Sequence, residues 1–301
     1  MDQYEIRVSQ LRRLKVSIFV RGIFLSLLVL GIEFLLYFII KNTDISFIEL
    51  DHIKYTFLYK FLYILCSLIS FVLILFISLH VGNKKYKKFF LECIYSECKL
   101  EEIYLLENKV TNNKLINSFL EKVLFCKNVK FISSYSDASS KFSCNINLVK
   151  YKRKKSNYGT LFSLHYDQEK PGFVQITHND KCALDTYDGN EIIQYGMPYT
   201  SNLRNFKVYS TYGRLTYLLE DNVNGKKILA LEKFLNSKID LIFDNENLYV
   251  FAPDIRLELA DNMFKSINNA RFSDKVECII TLHKLLFSLI KLFDELFIIN
   301  N

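Results

Sequence analysis

The stretch FLYILCSLISFVLILFISLHVGNKKYKKFF, residues 61–90, decides the fold. Its first nineteen residues, 61–79, carry no Asp, Glu, Lys, Arg, Pro or Gly, and near its end stand four lysines in five positions, Lys84, Lys85, Lys87 and Lys88. A helix rises about 1.5 Å per residue, so a run of this length reaches across a hydrocarbon core of about 30 Å. Its polar members, Tyr63, Cys66, Ser67, Ser70 and Ser78, are tolerated inside a span. A buried helix of a soluble domain is usually shorter and keeps a polar stripe.

Upstream, GIFLSLLVLGIEFLLYFII, residues 22–40, repeats the pattern with one interruption, Glu33. A secretory signal is the competing reading. The run is too long for a signal core, and no small-x-small cleavage site follows. Two transmembrane spans, about 22–40 and 59–81, therefore form a helical hairpin within residues 22–81.

Positive charge orients it. Arg7, Arg12, Arg13, Lys15 and Arg21 precede the first span, and the four lysines follow the second. The link carries Lys41 and Lys54 against Asp44, Glu49 and Asp51. Basic flanks are retained on the cytoplasmic side. The expectation is a multi-pass protein of the bacterial inner membrane with both termini cytoplasmic, a basic N-terminus (1–21) and a cytoplasmic portion after residue 81.

The net charge of +7 is unevenly spread: residues 82–155 carry +9, and residues 156–301 carry −4. The basic part lies next to the membrane in sequence, where it would attract anionic headgroups. An acidic remainder argues against nucleic acid as a partner. Seven cysteines show no CxxC pair or ligand-like cluster and read as reduced thiols.

Residues 82–127 read as juxtamembrane helices, at 84–108 and about 113–125, from the apolar stripes at 89–105 and 115–124. From residue 128 the period becomes two. NVKFISSYS, FSCNINLVKY, GTLFSLHY and GFVQITH read as strands, the last two joined by DQEKPG as a hairpin that would set His165 opposite Val174. Alternation in residues 142–148 predicts one buried and one wet face, hence a mainly antiparallel sheet. DG at 188–189 marks a turn, and NFKVYS is a further strand. Helices follow at 212–220 and 226–236, then the clearest hairpin, KIDLIFDNENLYVFAP, and helices at 255–267 and 274–299. The expected class is α+β: a two-span hairpin followed by a cytoplasmic antiparallel sheet covered by helices (128–301).

Three stretches, YGTLFSL (158–164), NFKVYS (205–210) and NLYVF (247–251), follow two N-terminal spans and a basic helix in that order. The chain in this respect resembles the bacterial membrane proteins grouped as "domain of unknown function 3137". The family's pattern continues from the Tyr-Ser strand into a Leu-Thr-Pro turn, whereas YLLEDN at 217–222 has no proline. The resemblance implies a membrane-anchored cytoplasmic module and supplies no catalytic residues.

Motifs for chemistry are missing: no glycine-rich phosphate loop, no GxSxG, no HExxH. HNDKC, residues 178–182, holds His, Asp and Cys without a second half to complete a metal site. No catalytic residue, cofactor or metal is assigned. KYKRKK, with Lys150, Lys152, Arg153, Lys154 and Lys155, reads either as a solvated hairpin loop or, with Lys84, Lys85, Lys87 and Lys88, as an anionic-lipid contact. An intramembrane carboxylate is expensive, and Lys60 on the returning helix is the expected partner of Glu33. The function expected is a membrane-anchored interaction module binding a protein partner or anionic lipid, with a homo-oligomer open. A membrane-tethered enzyme, or an accessory subunit of a transporter or channel, is the alternative.

Overall fold

A computed structural model describes residues 3–42, 53–106, 120–121, 127–139, 142–152, 156–165, 172–196, 203–211, 222–244 and 247–298. The chain divides into two compact units: Met1–Cys93 with Ala260–Ser273, and Ile94–Leu259 with Asp274–Asn301. Residues 260–273, which the sequence reading leaves in the α+β portion, thus belong to the helical unit.

The helical unit is built on α1 (Gln3–Asn42) and the first part of α2 (Ile53–Glu97). Both helices are long and apolar enough to cross a membrane. Only 11% and 0% of their apolar windows are buried. Large apolar side chains point outward along both, Phe24 at 63% and Phe76 at 68% exposure among them. Inward, small residues let the backbones approach, as between helices in lipid. Gly22 and Ser26 are buried one turn apart, and a Cβ on Gly22 would meet Leu75 and Ser78 at 3.4 and 3.5 Å. At Gly82 the approach is closer still: a Cβ there would lie 2.1 Å from Cγ2 of Ile18.

Two helices read from apolar stripes are corrected. α2 ends at Glu97 instead of running to 108. One 3-10 turn, Cys98–Glu101, follows, and Glu102 then takes positive φ, 57°. The stripe fails there because Leu100 is 96% exposed. Strand β1 (Tyr104–Leu106) replaces the last helical residues. The expected helix at 255–267 is irregular backbone. Asn262 closes a turn, its backbone oxygen accepting from the Lys265 N–H at 3.0 Å and its side chain from the Phe264 N–H at 3.1 Å. An Asn side chain bonded to nearby backbone in this way competes with helix. Regular helix resumes at α4 (Asn269–Ile298), whose N-cap Asn268 accepts the Arg271 N–H at 2.9 Å.

The sheet unit holds β1, β2 (Lys127–Ala138), β3 (Ser143–Lys152), β4 (Ser156–His165), β5 (Phe173–Thr177), β8 (Ile193–Gly196), β9 (Lys207–Ser210), β10 (Asp240–Asp244) and β11 (Asn247–Pro253). They form one sheet in the order β1-β2-β3-β4-β11-β10-β5-β9-β8, and every pair is antiparallel. Strands β6 (Thr186–Tyr187) and β7 (Asn190–Glu191) make a small hairpin around Asp188–Gly189, both at positive φ, as a two-residue turn of this kind needs. Helix α3 (Asn222–Leu235) precedes β10. The expected helix at about 113–125 and that at 212–220 lie largely or wholly outside the described residues.

The β4–β5 hairpin does not form. β4 pairs with β11 from His165↔Asn247 to Gly159↔Pro253, and β5 pairs with β10 and β9. The tight β10–β11 hairpin inserts between them, so His165 faces Asn247 and not Val174. The single wet face is also revised. Cys144, Ile146 and Leu148 are buried as expected, but so are Asn147, Val149 and Tyr151 on the other face. There Val149 and Tyr151 join Leu161, Ile242, Tyr249 and Phe251 in one apolar cluster.

Candidate functional site

Across the hairpin, Tyr63 donates its hydroxyl to the backbone carbonyl of Glu33 at 2.7 Å, and its ring lies 4.7 Å from that of Tyr37. The carboxylate itself has Oε2 buried without a hydrogen-bond partner. Lys60 is exposed, and no ion pair joins it to Glu33 among the described contacts. Tyr63, three residues further along the same helix, reaches the backbone of Glu33 and not its carboxylate.

Beyond the apolar part the hairpin becomes a basic stalk. Lys84, Lys85 and Lys88 are exposed and Lys87 partly so, and Arg12, Arg13 and Arg21 are exposed on α1. Residues 260–273 are tied to this stalk. Arg12 donates to the Ile267 carbonyl at 3.0 Å, Lys15 to that of Lys265 at 3.5 Å, and Asn83 accepts the Met263 N–H at 3.0 Å. The segment is braced internally by Arg271, whose Nε and Nη2 lie 2.6 and 3.1 Å from the two oxygens of buried Asp261. A planar fork on a carboxylate fixes orientation as well as charge.

The second lysine group belongs to the sheet unit. Lys150, partly buried, holds Nζ 5.8 Å from the Tyr158 ring centroid, and Arg256 approaches the same ring at 5.1 Å. Lys152 is exposed. Arg153, Lys154 and Lys155 lie outside the described residues.

A buried polar cluster in the sheet unit escapes the sequence reading. Tyr95, at the end of α2, donates to Oδ2 of Asp137 on β2 at 2.6 Å, and Nε2 of His283 on α4 stands 3.0 Å from the same oxygen. Asp137 is 0% and His283 4% exposed. The imidazole stacks on Phe142 at 5.2 Å. Burial, then the charge of Asp137, push the Tyr95 hydroxyl well above its usual range. Burial, with Asp137 next, raises the Cys98 thiol from 9.0 to about 12. The one local clue is His283, set in a mostly apolar run of the sequence. Being enclosed, the cluster has no room for substrate; it couples a helix end, a strand and a second helix.

His178 pairs with Glu232 on α3 at 2.8 Å and lies 4.0 Å from the Phe206 ring, while Asp240 accepts the Thr177 hydroxyl at 2.5 Å. These contacts give His178, the first residue of the HNDKC motif, a structural duty. Among the described residues no group of three His, Cys, Asp or Glu side chains is placed to hold a metal ion.

No family model matches the chain, and no curated protein matches it in sequence. A solved structure with some similarity is the crystal structure of the mycobacterial trehalose monomycolate transport factor A, TtfA. It is 12% identical over 65% of this chain and 93% of that one, with a TM-score of 0.26. A likeness at that level carries no argument about fold or function.

Proposed function

We propose that this protein is a membrane-anchored interaction module. Its hairpin spans the bacterial inner membrane with both ends in the cytoplasm, and its α+β unit binds a protein partner or anionic lipid there. One observation carries the reading. The outward faces of α1 and α2 are apolar over residues 16–39 and 61–81, and both helices turn basic at the same end. Exposed apolar surface of this extent calls for a cover, and lipid suits its length and its charged margin. The resemblance to the "domain of unknown function 3137" proteins supports the same reading. A membrane-impermeant thiol reagent tests it. A cysteine at Ser46 should gain label on intact cells over the parent chain, and one at Asn157 only after the membrane is broken. The reverse pattern would overturn the orientation.

An accessory transport role is the second reading, favoured by the buried, unpartnered Oε2 of Glu33. It requires Glu33→Gln to abolish an ion or proton flux in liposomes that carry the full-length protein; unchanged flux would remove it.

A further inference from the structure

We propose that the turn at residues 262–265 is a further membrane contact, seating Phe264 in the headgroup layer of the anionic bilayer that the hairpin crosses. The inference rests on the membrane reading of α1 and α2 and adds a point of contact drawn from a distant part of the chain.

The turn's height along the hairpin carries the argument. The exposed large apolar side chains of α1 begin at Val16, apart from Ile6, with Arg21 exposed among them, and those of α2 end at Val81. Lys15 holds the Lys265 carbonyl and Asn83 holds the Met263 N–H. Each anchor is one or two residues from an apolar margin, about 1.5–3 Å at the helical rise. Phe264, between the two anchored residues, is thus fixed within about one helical turn of both margins, the depth at which interfacial aromatic side chains sit.

Its orientation agrees. Met263 is 1% exposed, whereas Phe264 is 60% exposed. A turn that buries one apolar neighbour and turns the next outward needs a reason, and a phenyl ring with basic residues around it has one at an anionic surface. Lys265 lies beside it in sequence, and Arg12, Arg13, Lys84 and Lys85 stand exposed on the stalk. The turn is also held firmly enough to act as a fixed tooth. Asn262 bonds back to it twice, the Arg271–Asp261 fork closes its base, and Arg271 Nη1 reaches the Ser266 carbonyl at 3.4 Å.

The chain contains no tryptophan, so one substitution supplies one fluorophore. Phe264→Trp, Phe24→Trp on the outward face of α1 and Leu100→Trp, at a site 96% exposed, are made in the full-length protein and placed in bilayers containing anionic lipid. Lipids brominated near the headgroup should quench Phe264→Trp about threefold more than Leu100→Trp, as expected for a ring seated about 5–10 Å into the interface. Lipids brominated deep in the chains should quench Phe24→Trp. If Phe24→Trp is quenched while Phe264→Trp behaves like Leu100→Trp, the turn does not touch the bilayer and the hairpin reading stands. If Phe24→Trp escapes quenching at every depth, the hairpin reading falls and the inference falls with it.

Discussion

Oδ2 of Asp137 receives the Tyr95 hydroxyl at 2.6 Å and faces Nε2 of His283 at 3.0 Å, with no solvent at the carboxylate. Removing one member of a buried charged cluster leaves the others without partners, and that loss costs more than the contact itself contributes. Asp137→Ala should therefore lower the stability of the sheet unit by about 3 kcal/mol. Asp137→Asn keeps an acceptor for Tyr95 and should cost less. Urea unfolding of the detergent-solubilised protein checks the order; equal losses would deny Tyr95 its part.

The same cluster sets an alkaline limit. In the unfolded chain Cys98 loses its proton near 9.0 and Tyr95 near 10.0, whereas in the folded unit burial holds the first to about 12 and the second well above its usual value. The folded state thus keeps protons that the unfolded state releases, so stability is full below pH 9 and declines from pH 9 towards 12. Cys98→Ala should flatten that decline whatever it does to absolute stability. A midpoint that does not change between pH 8 and 11 would contradict the assignment.

At Gly82 the two long helices approach more closely than at Gly22. Gly82→Ala drives a methyl into Ile18 and should destabilise the hairpin by about 2 kcal/mol, the usual cost of overpacking. Ile18→Ala added to Gly82→Ala should restore most of the loss. Thermal unfolding in detergent of the single and double variants decides it; a double variant worse than the sum of the singles would place the strain elsewhere.

The stalk lysines make a measurable demand on lipid. Replacing Lys84, Lys85, Lys87 and Lys88 with Gln removes charges that contribute about 1 kcal/mol each near an anionic surface. Native mass spectrometry of protein released from mixed-lipid nanodiscs should then show fewer retained anionic lipids. High salt should weaken retention by the parent chain in the same direction. Unchanged retention would show that these lysines are only solvated.

What could be read in the sequence was what is local. An uncharged run with basic margins has few structural meanings, so the two long helices were legible, and so was β10–β11, where two apolar strands flank a tight turn. Pairing partners were not. The link at 166–171 resembles a hairpin turn, yet β11 and β10 stand between β4 and β5, because edge complementarity is decided by the whole sheet. The helix expected at 255–267 failed through side-chain bonds to its backbone, from Thr160 at Ile255 and Leu257 and from Asn262 at Phe264, which leave no trace in apolar periodicity. Tyr95 and Asp137 are 42 residues apart, and His283 comes from another helix altogether. Only packing brings them together. The fork of Arg271 on Asp261 was hidden similarly, as an ordinary surface Arg and Asp.

Because the stalk is completed by Ala260–Ser273, its parts leave the ribosome at different times. Ile94–Leu259, 166 residues, must be made in between. At about 5–20 residues per second that interval is roughly 10–30 s. A newborn hairpin would spend it with Gly82 and Ile18 already able to meet, but with Arg12, Lys15 and Asn83 lacking the backbone groups they later hold. Truncations ending before residue 260 should therefore reach the membrane and remain open to proteolysis at the stalk. With the hairpin inserted as proposed, assembly would run in two stages, insertion first and fastening afterwards.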